Sequence, residues 1–297
     1  MGLQVRTDLA LEARETVQKP DEEIRGVRVE EEKDTEKEIY ITRVMIETKN
    51  GAKTMGKPIG TYITLEAPNM VTPDEDYHRE ISEKVADQIR ELLPGEKEEL
   101  AVLVVGLGNR DVTADALGPN VADQLHITRH VVREFGRAAY DKNKVHMISA
   151  LVPGVMAKTG METCEIIKGV VEQTQPDVII AIDALAARST KRLNRTIQIT
   201  DTGVQPGSGV GNHRHALTED TLGIPVIGIG IPTVVDAGTI VGDAVEQVER
   251  EMLLCSDIHS LKMAELQNMY VTTKDIDDVV NRLSYTVSEA INIALEI

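Results

Sequence analysis

Tryptophan is absent and phenylalanine occurs once in 297 residues, so the chain has few aromatic platforms on which successive nucleic-acid bases stack. Basic residues are also scarce: 32 Lys and Arg stand against 49 Asp and Glu, a formal charge of −17. Gripping phosphates requires a surface where Lys and Arg dominate, so direct nucleic-acid binding is not expected, whereas basic protein substrates remain compatible. The acidic runs Glu30 to Glu38 and Glu96 to Glu99 read first as solvated, solubilising stretches. Only two cysteines occur, Cys164 and Cys255. With no C-x-x-C pair and no Cys/His cluster at zinc-binding spacing, both read as buried thiols. No run of about 18 uninterrupted apolar residues appears, and the opening MGLQVRTDLALEARE mixes charge with apolar residues instead of following a signal-peptide pattern. Neither a membrane segment nor export is expected, and the cytoplasm is the expected location.

What is present is enough apolar material, 41% of residues, to bury a large core. Residues 1–94 read as an α+β amino-terminal portion. Ile39 to Glu47 and Gly60 to Glu66 have the alternating, β-branched character of strands, separated by the turn-formers Asn50-Gly51, Gly56 and Pro58. A helix is predicted from about Asp74, because Ile81, Val85, Ile89 and Leu92 recur at helical spacing before Pro94. Residues 95–297 read as an α/β core. Four apolar runs, Leu100 to Val105, Val145 to Leu151, Val178 to Ile182 and Pro225 to Ile231, have the composition of buried parallel strands, and Gly-rich turns and helices alternate with them. The fold class is therefore α/β, a mostly parallel central sheet flanked by helices. A closing helix over Lys274 to Ile297 carries an apolar stripe and reads as a packing helix. The acidic run near Glu31 is expected to be loose.

Four segments carry candidate chemistry. The strand ending in Val105 leads into Gly106-Leu107-Gly108-Asn109 and then Thr113-Ala114-Asp115, placing an amide and a carboxylate at the strand's carboxyl end, where open α/β sheets gather ligands. The third glycine of a dinucleotide fingerprint is missing. The apolar run to Ile182 ends in Asp183, which by itself reads equally as a cap for a following helix. Two strand-end aspartates in one sheet favour chemistry instead, because neighbouring carboxylates share a proton and divide acid and base roles between them. The stretch Gln205 to His215 is too rich in glycine for a helix or strand and reads as a functional loop, with Asn212, His213 and His215 as polar candidates beside the bland alternative of a surface loop. A fourth turn, after Ile231, brings up Asp236 as a supporting candidate.

Taken together and in this order, VGLGNRDVTADALGP, IAIDALAAR, GSGVGNHR and IGIPTVVDA resemble the germination protease family of spore-forming bacteria, and the opening VRTDLALEA resembles that family's mature amino terminus. The resemblance covers nearly the whole chain. It implies an α/β fold similar to the hydrogenase-maturation proteases and an endopeptidase that degrades small acid-soluble DNA-binding proteins at germination. It further implies synthesis as a self-processing zymogen, assembly as a homotetramer, a location in the forespore or spore core and no cofactor. The functional aspartates it implies are Asp115 and Asp183. Cleavage after Glu, also implied, calls for a basic group beside the cleft, for which Arg188, Lys191 and Arg192 are candidates, with Asn109, Asn212, His213 and Asp236 in supporting positions. Almost nothing precedes Val5, where the family's prosegment would stand, so a matured form or a very short prosegment is expected. Two rivals remain open at this point: a metal-dependent maturation-type peptidase using His213 or His215, and a peptide-binding module without catalysis on the same sheet.

Overall fold

The computed structural model describes residues 9, 11–12, 24–95, 97–140, 144–206, 215–241, 244 and 269–296. Among them, nine strands form one mixed sheet: β1 (Val27–Asp34), β2 (Ile39–Ile46), β3 (Gly60–Glu66), β4 (Ala101–Gly106), β5 (Met147–Leu151), β6 (Val178–Ala187), β7 (Thr196–Thr200), β8 (Val226–Asp236) and β9 (Tyr270–Val271). The order across the sheet is β1-β2-β3-β7-β8-β6-β4-β5, with β9 added to the end of β8. Strands β5, β4, β6 and β8 are mutually parallel, whereas β7, β3, β2 and β1 extend the sheet by antiparallel pairing. The α/β class holds, and the parallel character belongs to the four apolar runs picked out by composition.

The helices that matter are α1 (Lys49–Met55), α2 (Glu75–Leu92), α3 (Leu117–Asp123), α4 (Arg129–Phe135), α5 (Thr163–Thr174) and α6 (Ile276–Ala294). Alternation along each strand sends its side chains to two faces. One face packs Val102, Val104, Ile180, Ile182, Ile227 and Ile229 beneath α2, α3 and α6. The other packs Leu103, Val105, Ile179 and Ala181 beneath α5. The apolar stripe of α6, including Val279, Leu283, Val287 and Ile291, is buried in the first of these cores. α2 and α6 are further joined by the buried His78, whose Nδ1 lies 2.7 Å from Thr286 Oγ1.

Two expectations fail here. The acidic run near Glu31 is not loose: Glu30, Glu31 and Glu32 are paired in β1 with Arg43, Thr42 and Ile41 of β2. As an edge strand with one solvated face, β1 tolerates charge where a central strand would not. Asn50-Gly51 is not a turn either, since both lie in α1, whose start is fixed by Thr48 accepting the Gly51 N–H and whose end is closed by left-handed Gly56. Capping outweighs the poor helix propensity of two residues in so short a segment.

The Leu100 N–H donates to His146 Nδ1 at 2.9 Å, a bond only the unprotonated nitrogen accepts. Burial holds the His146 pKa below its ordinary 6.5, and the same holds for His78. The unfolded chain therefore takes up these protons first as pH falls, so stability is fully present above about 6.5 and declines toward the lower folded pKa values. Urea unfolding should give a smaller free energy at pH 5.5 than at pH 7, with a shallower decline in His146→Gln. An unchanged pH slope in that variant would remove this assignment.

Candidate active site

Three glycines let the end of β4 pack closely against its surroundings. A Cβ on Gly106 would lie 2.3 Å from the Gly118 carbonyl oxygen, and one on Gly118 would lie 2.4 Å from the Leu107 oxygen and 2.6 Å from the Ile182 oxygen. α3 therefore starts directly on the ends of β4 and β6, and the Leu107 N–H donates to the Ile182 carbonyl at 2.8 Å. Gly108 has φ of +117°, and a Cβ there would fall 2.0 Å from the Asp115 carbonyl oxygen. Only glycine accepts both that conformation and that approach.

Asp115 closes a 3₁₀ turn, Thr113–Asp115, immediately before α3. Its carbonyl accepts the Asn109 N–H at 2.9 Å, and its own N–H donates to Val112 O at 2.8 Å. Asn109 Oδ1 in turn accepts the Asp111 N–H at 3.1 Å, so the amide singled out in the sequence shapes the loop that carries the carboxylate. From the other side, Thr233 Oγ1 of β8 donates to the Ala114 carbonyl at 2.6 Å. The turn packs against β6, β8 and α6. Arg110 is held by Asp123, at 2.8 Å for Nη2 to Oδ1, and keeps that carboxyl below the usual carboxylate range. Lys158 pairs with Asp111.

Asp183 lies within β6, one residue past the last pairing between β4 and β6, Gly106 with Ile182. No helix follows. β6 continues to Ala187 alongside β8, with a register shift between Leu185 and Ala186, which removes the helix-capping reading. The reason the strand seemed to end at Ile182 is that β4 stops there and the remaining residues are small or charged. Asp183 is 6% exposed, its Oδ1 accepts the Ala184 N–H at 3.0 Å, and its strand partner on β8 is Gly230. Asp115 and Asp183 thus follow the last paired residues of two adjacent parallel strands at one edge of the sheet.

The other candidates are placed as follows. Arg192, 12% exposed, bridges two carboxylates, Nη1 to Glu12 Oε1 at 3.4 Å and Nε to Glu66 Oε1 at 3.0 Å. Glu12, 1% exposed, also accepts the Arg188 N–H at 2.9 Å and the Ser189 N–H at 3.2 Å. Beside it Leu9 packs with Leu185, Ala187 and Leu193. The sequence reading missed Glu12 because nothing local marks an acidic residue near a terminus as buried. Removing one partner of a buried ion pair strands the other, so Arg192→Met should lower the unfolding free energy by about 3 kcal/mol, measurable in urea. A change below 1 kcal/mol in the unfolding free energy would show that the two amide donors alone suffice for Glu12. Asp236 Oδ1 accepts the Thr239 N–H at 2.9 Å and its hydroxyl at 3.1 Å, a capping arrangement. Asn212 and His213 lie outside the described residues. His215 is exposed and stands 4.0 Å from Glu162. Among the described residues no three His, Cys, Asp or Glu side chains gather at metal-binding spacing, and no helix is long and apolar enough to cross a membrane. Burial raises the Cys164 thiol above its ordinary pKa, as expected for a packed thiol; Cys255 lies outside the described residues.

A sequence profile of the germination protease family matches residues 5–254. The chain belongs to the germination protease family. A germination protease from Caldanaerobacter subterraneus subsp. tengcongensis is 44% identical, with 99% of this chain and 95% of that protein aligned. One from Clostridium perfringens is 44% identical over 98% of this chain and 95% of its own length. The germination protease of Bacillus cytotoxicus is 46% identical over 82% of this chain and 66% of its own length. Family membership makes this chain a peptidase associated with germination, acting on protein.

Proposed function

We propose that this germination protease is an endopeptidase that begins the degradation of small acid-soluble spore proteins, and that Asp115 and Asp183 activate the water that attacks the peptide bond. The observation that carries the reading is their shared position: two carboxylates following neighbouring parallel strands, one of them nearly buried on a central strand opposite a glycine. A pair of carboxylates brought together shares one proton. The ionised member takes a proton from water as the new oxygen–carbon bond forms at the substrate carbonyl. The protonated member gives its proton to the departing amine as the carbon–nitrogen bond breaks, and the pair ends with one proton, as it began.

In this reading the enzyme is made as a zymogen that processes itself near the amino terminus, assembles as a homotetramer, works in the cytoplasm of the spore core and cleaves after Glu. Basic, DNA-binding substrates suit a chain of charge −17, since opposite charge accelerates encounter. The test is incubation with a small acid-soluble spore protein, with and without exhaustive chelation, reading new termini by mass spectrometry. The expected result is one or a few internal cuts on the carboxyl side of Glu in both samples. An intact substrate would end the substrate assignment, and cleavage lost on chelation and restored by metal would replace the carboxylate pair with a metal-dependent mechanism.

A further inference from the structure

The register of the sheet puts Asp183, Gly230 and Gln198 in one row across β6, β8 and β7. Residues opposite one another in adjacent strands project to the same face, so Asp183 and Gln198 flank a position that has no side chain. Strands are spaced about 4.8 Å apart, and Gly230 therefore opens the sheet surface within one strand of the candidate catalytic carboxylate. A cavity of about 200 Å³ lies on this surface. Its floor includes Gly228, Gly230 and Gln198, and its walls include Leu185, Thr200 and Lys57. Leu185 stands directly over Gly230, where an added Cβ would meet its side chain at 2.5 Å.

The chemistry of the lining selects the occupant. Leu185 and Ile229 offer apolar surface to a methylene stem, while threonine hydroxyls and the Gln198 amide surround the interior. Lys57 is the one charged residue among the described lining residues, and none of them is a carboxylate, although the chain holds 49 acidic residues. A short unbranched side chain ending in a hydrogen-bond acceptor matches both halves, and a carboxylate matches Lys57 better than a carboxamide does. The volume is several times the roughly 30 Å³ share of one water, which suits one such side chain and no larger body.

We propose that this cavity is the side-chain specificity pocket of the peptidase and that Lys57 is its charge-reading residue. It rests on the catalytic reading of Asp183 for its place beside the scissile bond. It also moves the recognition of acidic side chains from Arg192, which is engaged by Glu12 and Glu66, to the connection between α1 and β3.

The experiment takes the full-length wild type, Lys57→Met, Lys57→Arg, Lys57→Gln and Asp183→Asn. Cleavage preferences are first mapped on a mixed peptide library by mass spectrometry. Then kcat/KM is measured on two matched peptides that differ only in Glu or Gln at the selected position. Charge-assisted hydrogen bonds of this kind are worth about tenfold to a hundredfold in kcat/KM. Lys57→Met and Lys57→Gln should lose about that factor on the Glu peptide and less than about threefold on the Gln peptide, and Lys57→Arg should retain the preference. Equal losses on both peptides, or an unchanged Glu-to-Gln ratio in either neutral variant, would overturn the proposal. Should Lys57→Met fail to fold, the polar Lys57→Gln still gives the ratio. Full turnover in Asp183→Asn would remove the catalytic reading instead, and the ratio in the Lys57 variants would still report on the pocket.

Discussion

Asp183→Asn and Asp115→Asn should each lower turnover of a spore-protein substrate by about a hundredfold to ten-thousandfold, the usual contribution of a general acid or base. Asparagine keeps the shape of aspartate and still accepts the Ala184 N–H that Asp183 Oδ1 receives, but it exchanges no proton near neutral pH. The folded state should survive. Asp183 caps no helix, because β6 runs on to Ala187, so the loss of about 0.5 to 2 kcal/mol that accompanies removal of a helix cap has no source here. Thermal unfolding measured on the same samples separates the two effects. A variant that melts with the wild type and does not cleave supports a chemical role, whereas a folded variant with full turnover removes it.

The second large effect is expected from a residue with no functional group. Gly118→Ala should cost at least about 1 to 3 kcal/mol, the range for forcing one extra carbon into a close-packed site, and should depress kcat more than stability alone explains. Each atom its Cβ would meet belongs to the backbone of Leu107 or Ile182, and backbone cannot rotate aside as a side chain can. Relief requires α3 to lift from the ends of β4 and β6, and Asp115 sits three residues before Gly118 in the turn that leads into that helix. Positioning errors of about 1 Å at a catalytic group cost on the order of a hundredfold. Gly95→Ala is the control, since a Cβ there meets nothing within 4 Å. Equal behaviour of the two variants in urea unfolding and turnover would show that α3 does not set the position of Asp115.

Much of this arrangement is legible in the sequence because burial leaves a compositional trace. The runs that become β4, β6 and β8 are nearly continuous Val, Ile and Leu, as strands covered on both faces must be. The glycines at 106, 108 and 118 mark where backbone approaches backbone. Asp183 was picked out for the right location, past the end of β4, although the strand itself continues. What escaped the sequence was set by pairing rather than by composition. β7, read from TIQIT alone, is a short polar and apolar alternation with no flanking signal, and it becomes a strand because β3 and β8 pair with it on either side. Glu31 in β1 is acceptable only because the edge of the sheet leaves one of its faces in water. The engagement of Arg192 depends on Glu12 and Glu66, 180 and 126 positions away in the chain, and no local pattern encodes a contact of that span.

The central claim is that Asp115 and Asp183 work on one water, and a double-substitution cycle tests it most directly. Turnover of the spore protein is measured for the wild type, Asp115→Asn, Asp183→Asn and the double variant, each verified as folded. Groups that act as one unit lose most of their joint contribution when either is removed. The account predicts a double variant within about threefold of the slower single variant. Multiplied losses, with the double variant slower by the product of the two single effects, would contradict it.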